Sequence, residues 1–375
     1  MNRLLNTALL VLVTVNLDLA QDPPSKKTLK VPLTKISAKK GALRLGVGLQ
    51  GELPTSAFQA KFGGETILFF DMNGDDMLTS GQDGMALSYG PFIVGIPQAL
   101  LLKIGQFTLG FEGTKTLLLT SDDLGAAQAI VAEASFLTEI RGRSALTPAS
   151  LDPKACLACE KHCTYLKQNG MADGNAGLAA HQEDPGKPGY TPEGAAAGSQ
   201  GDLSFGNTKI HDALDQWYRS AWHAVPMLDP GLSRFGIASK FNVVNLYFSA
   251  MGGNGGGNSL PYPPDGAVGI PRAFADGAEN PNPVPGSNGG MGCGLPLFVR
   301  GGFTLESAEI LDPTGRAVPG TSSSPAKPAN PQWPTNSGCA FFIPSKPLAP
   351  ATTYKATFKF QGGGDPVVWS FTTGR

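Results

Sequence analysis

Three catalytic signatures are missing from this sequence: it has no Gly-x-Ser-x-Gly nucleophile elbow, no Gly-rich phosphate loop closed by Lys, and no His-Glu-x-x-His zinc helix. Serine-elbow, phosphate-loop and zinc-helix chemistries are therefore excluded. A charge of one sign is also missing. Lys+Arg 29 against Asp+Glu 30 leaves a formal net charge of -1, so there is no electrostatic ground for nucleic acid or an acidic membrane, which clustered Lys and Arg would hold. No nucleic-acid partner is expected. Beyond the N-terminus no stretch approaches the ~20 uninterrupted apolar residues of a spanning helix, so no transmembrane segment is expected. Glu160 rather than His follows Cys159, which excludes covalent haem attachment.

Turn formers, by contrast, are plentiful. Gly 49 and Pro 31 with only 16% charged residues describe short strands joined by loops, a largely β chain with one helical insertion. The first residues, Met1-Asn2-Arg3, lead into an apolar stretch over 4–17 and then Leu19-Ala20-Gln21, the layout of a secretory signal peptide at 1–20. The mature chain is therefore expected to be secreted or extracytoplasmic, in the periplasm or at the cell surface. Lys26, Lys27, Lys30, Lys35, Lys39 and Lys40 then read as a solvated tether.

From 21 to 120, apolar runs at 43–49, 66–70, 107–111 and 116–120 are punctuated by Gly, Pro and Asp, the spacing of an N-terminal β domain. At Ser121-Asp122-Asp123 the pattern changes to one helix face through Ile130, Ala134, Leu137 and Ile140. Asp152-Pro153 opens a second helix that Gly170 ends, a third runs over 210–220, and 235–248 reads as strand. Residues 251–260 form a Gly-rich linker. In 261–375, Tyr354, Ala356, Phe358 and Phe360 alternate with polar neighbours, as do Val367, Trp369 and Phe371, which predicts a terminal sandwich.

The helical middle segment carries a family likeness. Phe136-Leu137-Thr138-Glu139-Ile140-Arg141 precedes Leu146-Thr147-Pro148, and His181 precedes Thr191-Pro192-Glu193. Then come Trp217-x-x-Ser220-x-x-His223 and Phe235-Gly236-Ile237-Ala238. In this order the motifs resemble the CAP domain (SCP-like, pathogenesis-related) of bacterial secreted proteins, over 121–250. The resemblance implies an α+β multidomain chain with a central α-β-α CAP sandwich between an N-terminal β domain and a C-terminal Ig-like β-sandwich. It also implies a cleft in which His181, Glu193 and His223 face one another to hold zinc, another divalent ion or a small ligand, with Trp217 and Ser220 as supports. Asp212 or Asp215 would stand in for a fourth, acidic member. Ala224 after the His and Gly194 after the Glu depart from the family's pattern. His162 and His211 read as structural.

Two further groups stand out. Asp71-x-Asn73-x-Asp75, with Met77 offering its carbonyl and Asp83 nearby, places oxygens at alternate loop positions, which suits calcium; without metal the same residues are ordinary turn formers. Cys293 and Cys339 are expected to pair in an exported chain. Cys156, Cys159 and Cys163 share a helix face and suggest a local disulfide or, with His162, a metal site. Three functions follow: a non-catalytic cleft that binds a metal or small ligand, a metal-assisted hydrolase using the same cleft, or a structural or adhesion protein that contacts the cell envelope.

Overall fold

The structure is a computed structural model that describes residues 27–38, 43–62, 64–122, 124, 128–252, 260–301, 304–333, 335–362 and 364–375. The signal peptide expected at 1–20 lies outside the described residues, as do Lys26, Lys39, Lys40 and the Gly-rich core of the expected linker.

In the first segment Phe58 pairs with Phe69 and Ala60 with Ile67 across an antiparallel hairpin, and all four side chains are buried. Around it the strands Thr34–Ser37, Ser56–Phe62, Glu65–Phe70, Gly84–Leu87, Phe92–Gly95 and Arg44–Leu45 form a six-stranded sheet in that order. A four-stranded sheet joins Thr28–Pro32, Thr116–Ser121, Gly105–Glu112 and Ala99–Leu102. Lys30 and Lys35, expected in a tether, stand on strands instead, because Val31 buries itself opposite Leu117. The strand expected over 43–49 shrinks to Arg44–Leu45. A side chain at Gly46 would meet Ile93 O at 2.7 Å, and Gly48 turns at φ +85°.

The expected first helix splits into α1 (Gln128–Ala134) and α2 (Phe136–Arg143). Ser135 lies between them, its Oγ donating back to Ala132 O at 2.7 Å, a bond that competes with the helix ladder. Ala134, Leu137 and Ile140 still face the core. Helix α3 (Pro153–Gln168) starts where Asp152 accepts from Lys154 N and Ala155 N, and ends before Gly170 at φ +69°. Helices α4 (Pro192–Ser199), α5 (Ile210–Tyr218) and α6 (Ala224–Met227) follow.

The single strand expected over 235–248 is a hairpin of Leu232–Lys240 and Val243–Met251. Phe241 and Asn242 turn it at φ 56° and 61°, the geometry that matches strand twist in a two-residue connection. With Ser150–Leu151 and Gly201–Phe205 these strands make a four-stranded sheet. Helices α3 and α4 cover one side, and α5, backed by α1 and α2, lies on the other. A Cβ at Gly236 would collide with the Ala155 backbone, so glycine sets how closely α3 approaches the sheet.

The C-terminal segment is a sandwich of two four-stranded sheets. One orders Pro261–Tyr262, Leu297–Arg300, Cys339–Pro344 and Gly320–Ser323; the other orders Ala267–Ile270, Val367–Thr373, Thr353–Phe360 and Leu305–Leu311. Tyr354, Ala356 and Phe358 point inward beside Trp369 and Phe371. The chain is thus an α+β multidomain protein. One apolar cluster runs through all three segments, from Val31 through Trp217 to Phe371. Among the described residues no helix is long and apolar enough to cross a membrane.

Cys293 and Cys339 are not joined. Gly294 N donates to Pro344 O at 2.8 Å, which puts Cys293 beside the far end of the strand that Cys339 opens. Five strand steps of ~3.4 Å, about 17 Å, separate Cys339 from Pro344, which puts Cys293 beyond disulfide reach. Cys156, Cys159 and Cys163 form no disulfide either; all three are buried under the sheet, with Ile237 N donating to Cys156 Sγ at 3.4 Å. Burial pushes the Cys156 thiol up to about 11 and that of Cys163 up to about 12, so both stay protonated.

Candidate functional site

The turn after α5 is built to hold a negative charge. Ala221 N, Trp222 N and His223 N point the same way, and the carboxylate of Glu279 accepts from them at 2.8, 2.6 and 3.2 Å. Glu279 comes from the irregular chain between Ile270 and Leu297 in the C-terminal segment, and its side chain is only 1% exposed. His223 Nδ1 also reaches Glu279 Oε1, at 2.8 Å. A carboxylate only accepts, so His223 Nδ1 carries the proton. Trp217 is buried and stacks beside the His223 ring, with centroids 6.4 Å apart. Ser220 Oγ donates to Trp217 O at 2.9 Å and lies 3.5 Å from His223 Nδ1.

A cavity of about 590 Å³ opens beside this turn, and His181, Asp202 and His223 all line it. His181 ends a short 3-10 turn, where its Nδ1 bonds Gly198 O at 2.9 Å. That bond places the proton on Nδ1 and leaves Nε2 as an acceptor in the neutral ring. Asp202 stands on the edge strand Gly201–Phe205, its Oδ2 buried and without a hydrogen-bond partner among the described residues. The far wall belongs to the C-terminal segment, with Asn280, Pro281, Arg300 and Trp333.

Electrostatics divides these groups. Burial alone would lower the His223 pKa, but the nearby Asp202 charge and the bonded Glu279 carboxylate raise it to about 9. His223 is therefore an imidazolium at neutral pH. Burial, and the His223 charge, hold His181 below its usual value against its bond to Gly198. Burial lifts Asp202 to about 7 despite His223. The cavity thus presents a neutral acceptor, a cationic donor and a half-ionised acid together.

Of the three residues expected to face one another, His181 and His223 share the cavity and Glu193 does not. Glu193 lies in the first turn of α4, its side chain 61% exposed, paired with Lys161 at 3.2 Å. The acid at that end of the domain is Glu183, buried with His162. His162 Nδ1 bonds Glu183 Oε1 at 2.9 Å, Nε2 bonds Ala180 O at 3.0 Å, and Thr191 N donates to Glu183 Oε2. This latch fixes the segment that carries His181 onto α3. Asp215 pairs with Arg219 at 2.7 Å, and Asp212 lies near His211, so neither enters the cavity. His211 stacks on Phe136.

Sequence reasoning missed Asp202, Glu279, Trp222 and Trp333. Asp202 had a faint signal, as an acid amid the strand-like Leu203-Ser204-Phe205. Glu279 had none, since its partners lie 56 to 58 positions away.

Among the described residues no three His, Cys, Asp or Glu side chains gather closely enough to hold a metal ion. In the loop after Glu65–Phe70, Asp71 accepts from Gly74 N and Asp76 N, and Asp75 from Met77 N and Asn73 Nδ2. Asn73 Oδ1 accepts from Asp75 N. Asp83 is buried, with its two oxygens on Met72 N and Thr79 N. Burial raises the Asp83 pKa, and the charges of Asp71 and Asp75 add to that rise.

Residues 135–249 match the model of the Cysteine-rich secretory protein family, CAP. Among solved structures, the chain is similar to an extracellular protein containing a SCP domain from Bacillus anthracis str. Ames, at 13% identity and a TM-score of 0.24 over 51% of this chain. This chain spans 65% of that protein's length. No curated protein matches the sequence. The order of motifs, the helix-covered sheet and the family match agree on one conclusion: residues 135–249 of this chain are a CAP domain.

Proposed function

We propose that the cavity lined by His181, Asp202 and His223 binds a small polar ligand without transforming it, and that the protein does so outside the cell. One observation carries the reading. Among the described residues the buried Asp202 Oδ2 has no hydrogen-bond partner, although a buried charge-bearing oxygen left unpaired costs on the order of 1–3 kcal/mol. A ligand donor would satisfy it. Export is supported by the N-terminal sequence and by the secretory family that the middle segment matches.

The residues present fit a resident zinc poorly. His181 Nε2 is ready as a ligand, and each Nδ1 is anchored as in metal sites. His223, however, would have to lose a proton that Glu279 and Asp202 hold on it, and no third donor stands with the pair. A second reading, hydrolysis, is favoured by one observation: a neutral His181 and a cationic His223 supply a base and an acid at the same pH.

The test is a thermal-shift screen of wild type, Asp202→Asn and His223→Ala against sugars, polyols, amino acids, nucleosides and divalent ions, with ester, peptide and glycan substrates assayed alongside. Binding predicts a compound that stabilises wild type but not the variants, with every substrate left intact. Turnover abolished in His223→Ala would establish hydrolysis instead. A wild type that responds to nothing would leave the structural role.

We also propose calcium for the Asp71 loop. The support is the pattern of Asp71, Asn73 and Asp75 at alternate positions of one loop with Met77 following, a set in which calcium would draw on amide and main-chain oxygens as well as carboxylates, and in which it would relieve the repulsion that Asp71 and Asp75 exert on Asp83. Chelator should lower the Tm by several degrees and calcium restore it. A Tm that chelator does not move removes the proposal.

A further inference from the structure

The cavity has two unlike sides. One is aromatic: Trp222 and Trp333 both line it, with ring centroids 6.4 Å apart and planes tilted by 39°. Their indole N–H groups are already used within the protein, Trp222 Nε1 donating to Pro281 O at 2.7 Å and Trp333 Nε1 to Ser337 Oγ at 3.3 Å. What the rings offer a ligand is therefore carbon surface. The other side is polar, with His181, Asp202 and His223.

Charge narrows the ligand class. Each cation in the wall has its counter-charge: Arg300 Nη1 meets Asp229 Oδ2 at 2.9 Å, and His223 meets Glu279 at 2.8 Å. An anionic ligand would find no unmatched cation and would face Asp202. A cationic ligand would find its one unmatched partner, Asp202, only half-ionised near neutral pH, and would stand beside the His223 imidazolium. A neutral ligand escapes both penalties when it donates to Asp202 Oδ2 and accepts from His223. One apolar wall and one hydrogen-bonding wall call for a ring with a carbon face and a rim of hydroxyls. The volume of about 590 Å³ falls in the ordinary range for small-ligand sites.

We propose that the cavity takes a short neutral saccharide, stacked on Trp222 and Trp333 and hydrogen-bonded at Asp202, a proposal that rests on the small-ligand reading above. The site is composite. The CAP domain supplies Asp202, Trp222 and the two imidazoles, and the C-terminal segment supplies Trp333 and the carboxylate that holds His223. A CAP domain cut free of that segment would lack the side of the wall formed by Asn280, Pro281, Arg300 and Trp333.

The test titrates the full chain, by calorimetry and by Trp fluorescence, with glucose, N-acetylglucosamine, cellobiose, chitobiose and maltose. Choline, inorganic phosphate and zinc chloride run alongside. At least one saccharide should bind and change Trp fluorescence. Trp333→Ala should weaken it about tenfold, the equivalent of ~1.4 kcal/mol of stacking. Asp202→Asn, which keeps the side chain's shape, should weaken it as well, and a thermal melt of each variant checks that it is folded. If choline, phosphate or zinc binds and no sugar does, the saccharide class is overturned while the small-ligand reading survives. If no compound binds at millimolar concentration, both are overturned. Sugar binding unaffected in folded Trp333→Ala and Asp202→Asn would overturn the placement in this cavity.

Discussion

At the scale of single residues, the fold spends its buried charges in two ways. Arg141 is fully buried, and among the described residues no carboxylate pairs with it; its guanidinium donates to Thr147 O, Met227 O, Asp229 O and Leu232 O at 2.8–3.1 Å. Burial lowers its pKa to about 9, and four chain carbonyls depend on it. Arg141→Ala should therefore cost on the order of 3–5 kcal/mol, readable as a lower midpoint in denaturant unfolding; a loss under ~1 kcal/mol would contradict this role. His223 is the second case. Its folded pKa, about 9, lies above the unfolded 6.5, so its contribution is complete below about pH 6.5 and is lost as pH rises through 9. Asp202, raised to about 7, acts in the same direction because the fold favours its neutral form. Stability should fall as pH climbs from about 6 to 9, and Glu279→Gln should flatten the upper part of that fall, both readable as Tm against pH. His181 and His223 were legible as residues because their motif spacing is local. Asp202 and Glu279 were not, because what makes them matter is burial beside a histidine from elsewhere in the chain.

At the scale of elements, local signals gave reliable starts and stops where the cause was local. Asp152, Pro153 and Gly170 bound α3 by capping chemistry that any window of sequence shows. The break at Ser135 and the turn at Phe241-Asn242 were hidden, since one depends on a side chain bonding back to Ala132 O and the other on two non-glycine residues at positive φ. Cysteine pairing failed for a geometric reason: Cys339 opens a strand and Cys293 lies beside that strand's far end, and the three thiols on α3 face the sheet. Alkylation of the native protein followed by intact-mass measurement should leave the three α3 thiols unmodified, and alkylation after unfolding without reductant should label all three of them. A mass short by a pair of labels would establish a disulfide and contradict the arrangement.

At the scale of the whole molecule, three segments read from the sequence as separate share one apolar cluster, and the CAP cavity is walled partly from outside the matched family region. The likeness to CAP domains made the cleft legible in outline. It misplaced the acid: Glu193 stands exposed on α4, whereas Asp202 and the distant Glu279 set the charge of the site. The central claim is that one cavity holds a neutral His181 against a cationic His223. With only four histidines in the chain, ring signals can be followed one by one in an NMR titration from about pH 5 to pH 10, assigned through single His→Gln variants. His181 should titrate below 6.5 and His223 near 9. Both rings titrating together near 6.5 would contradict the account.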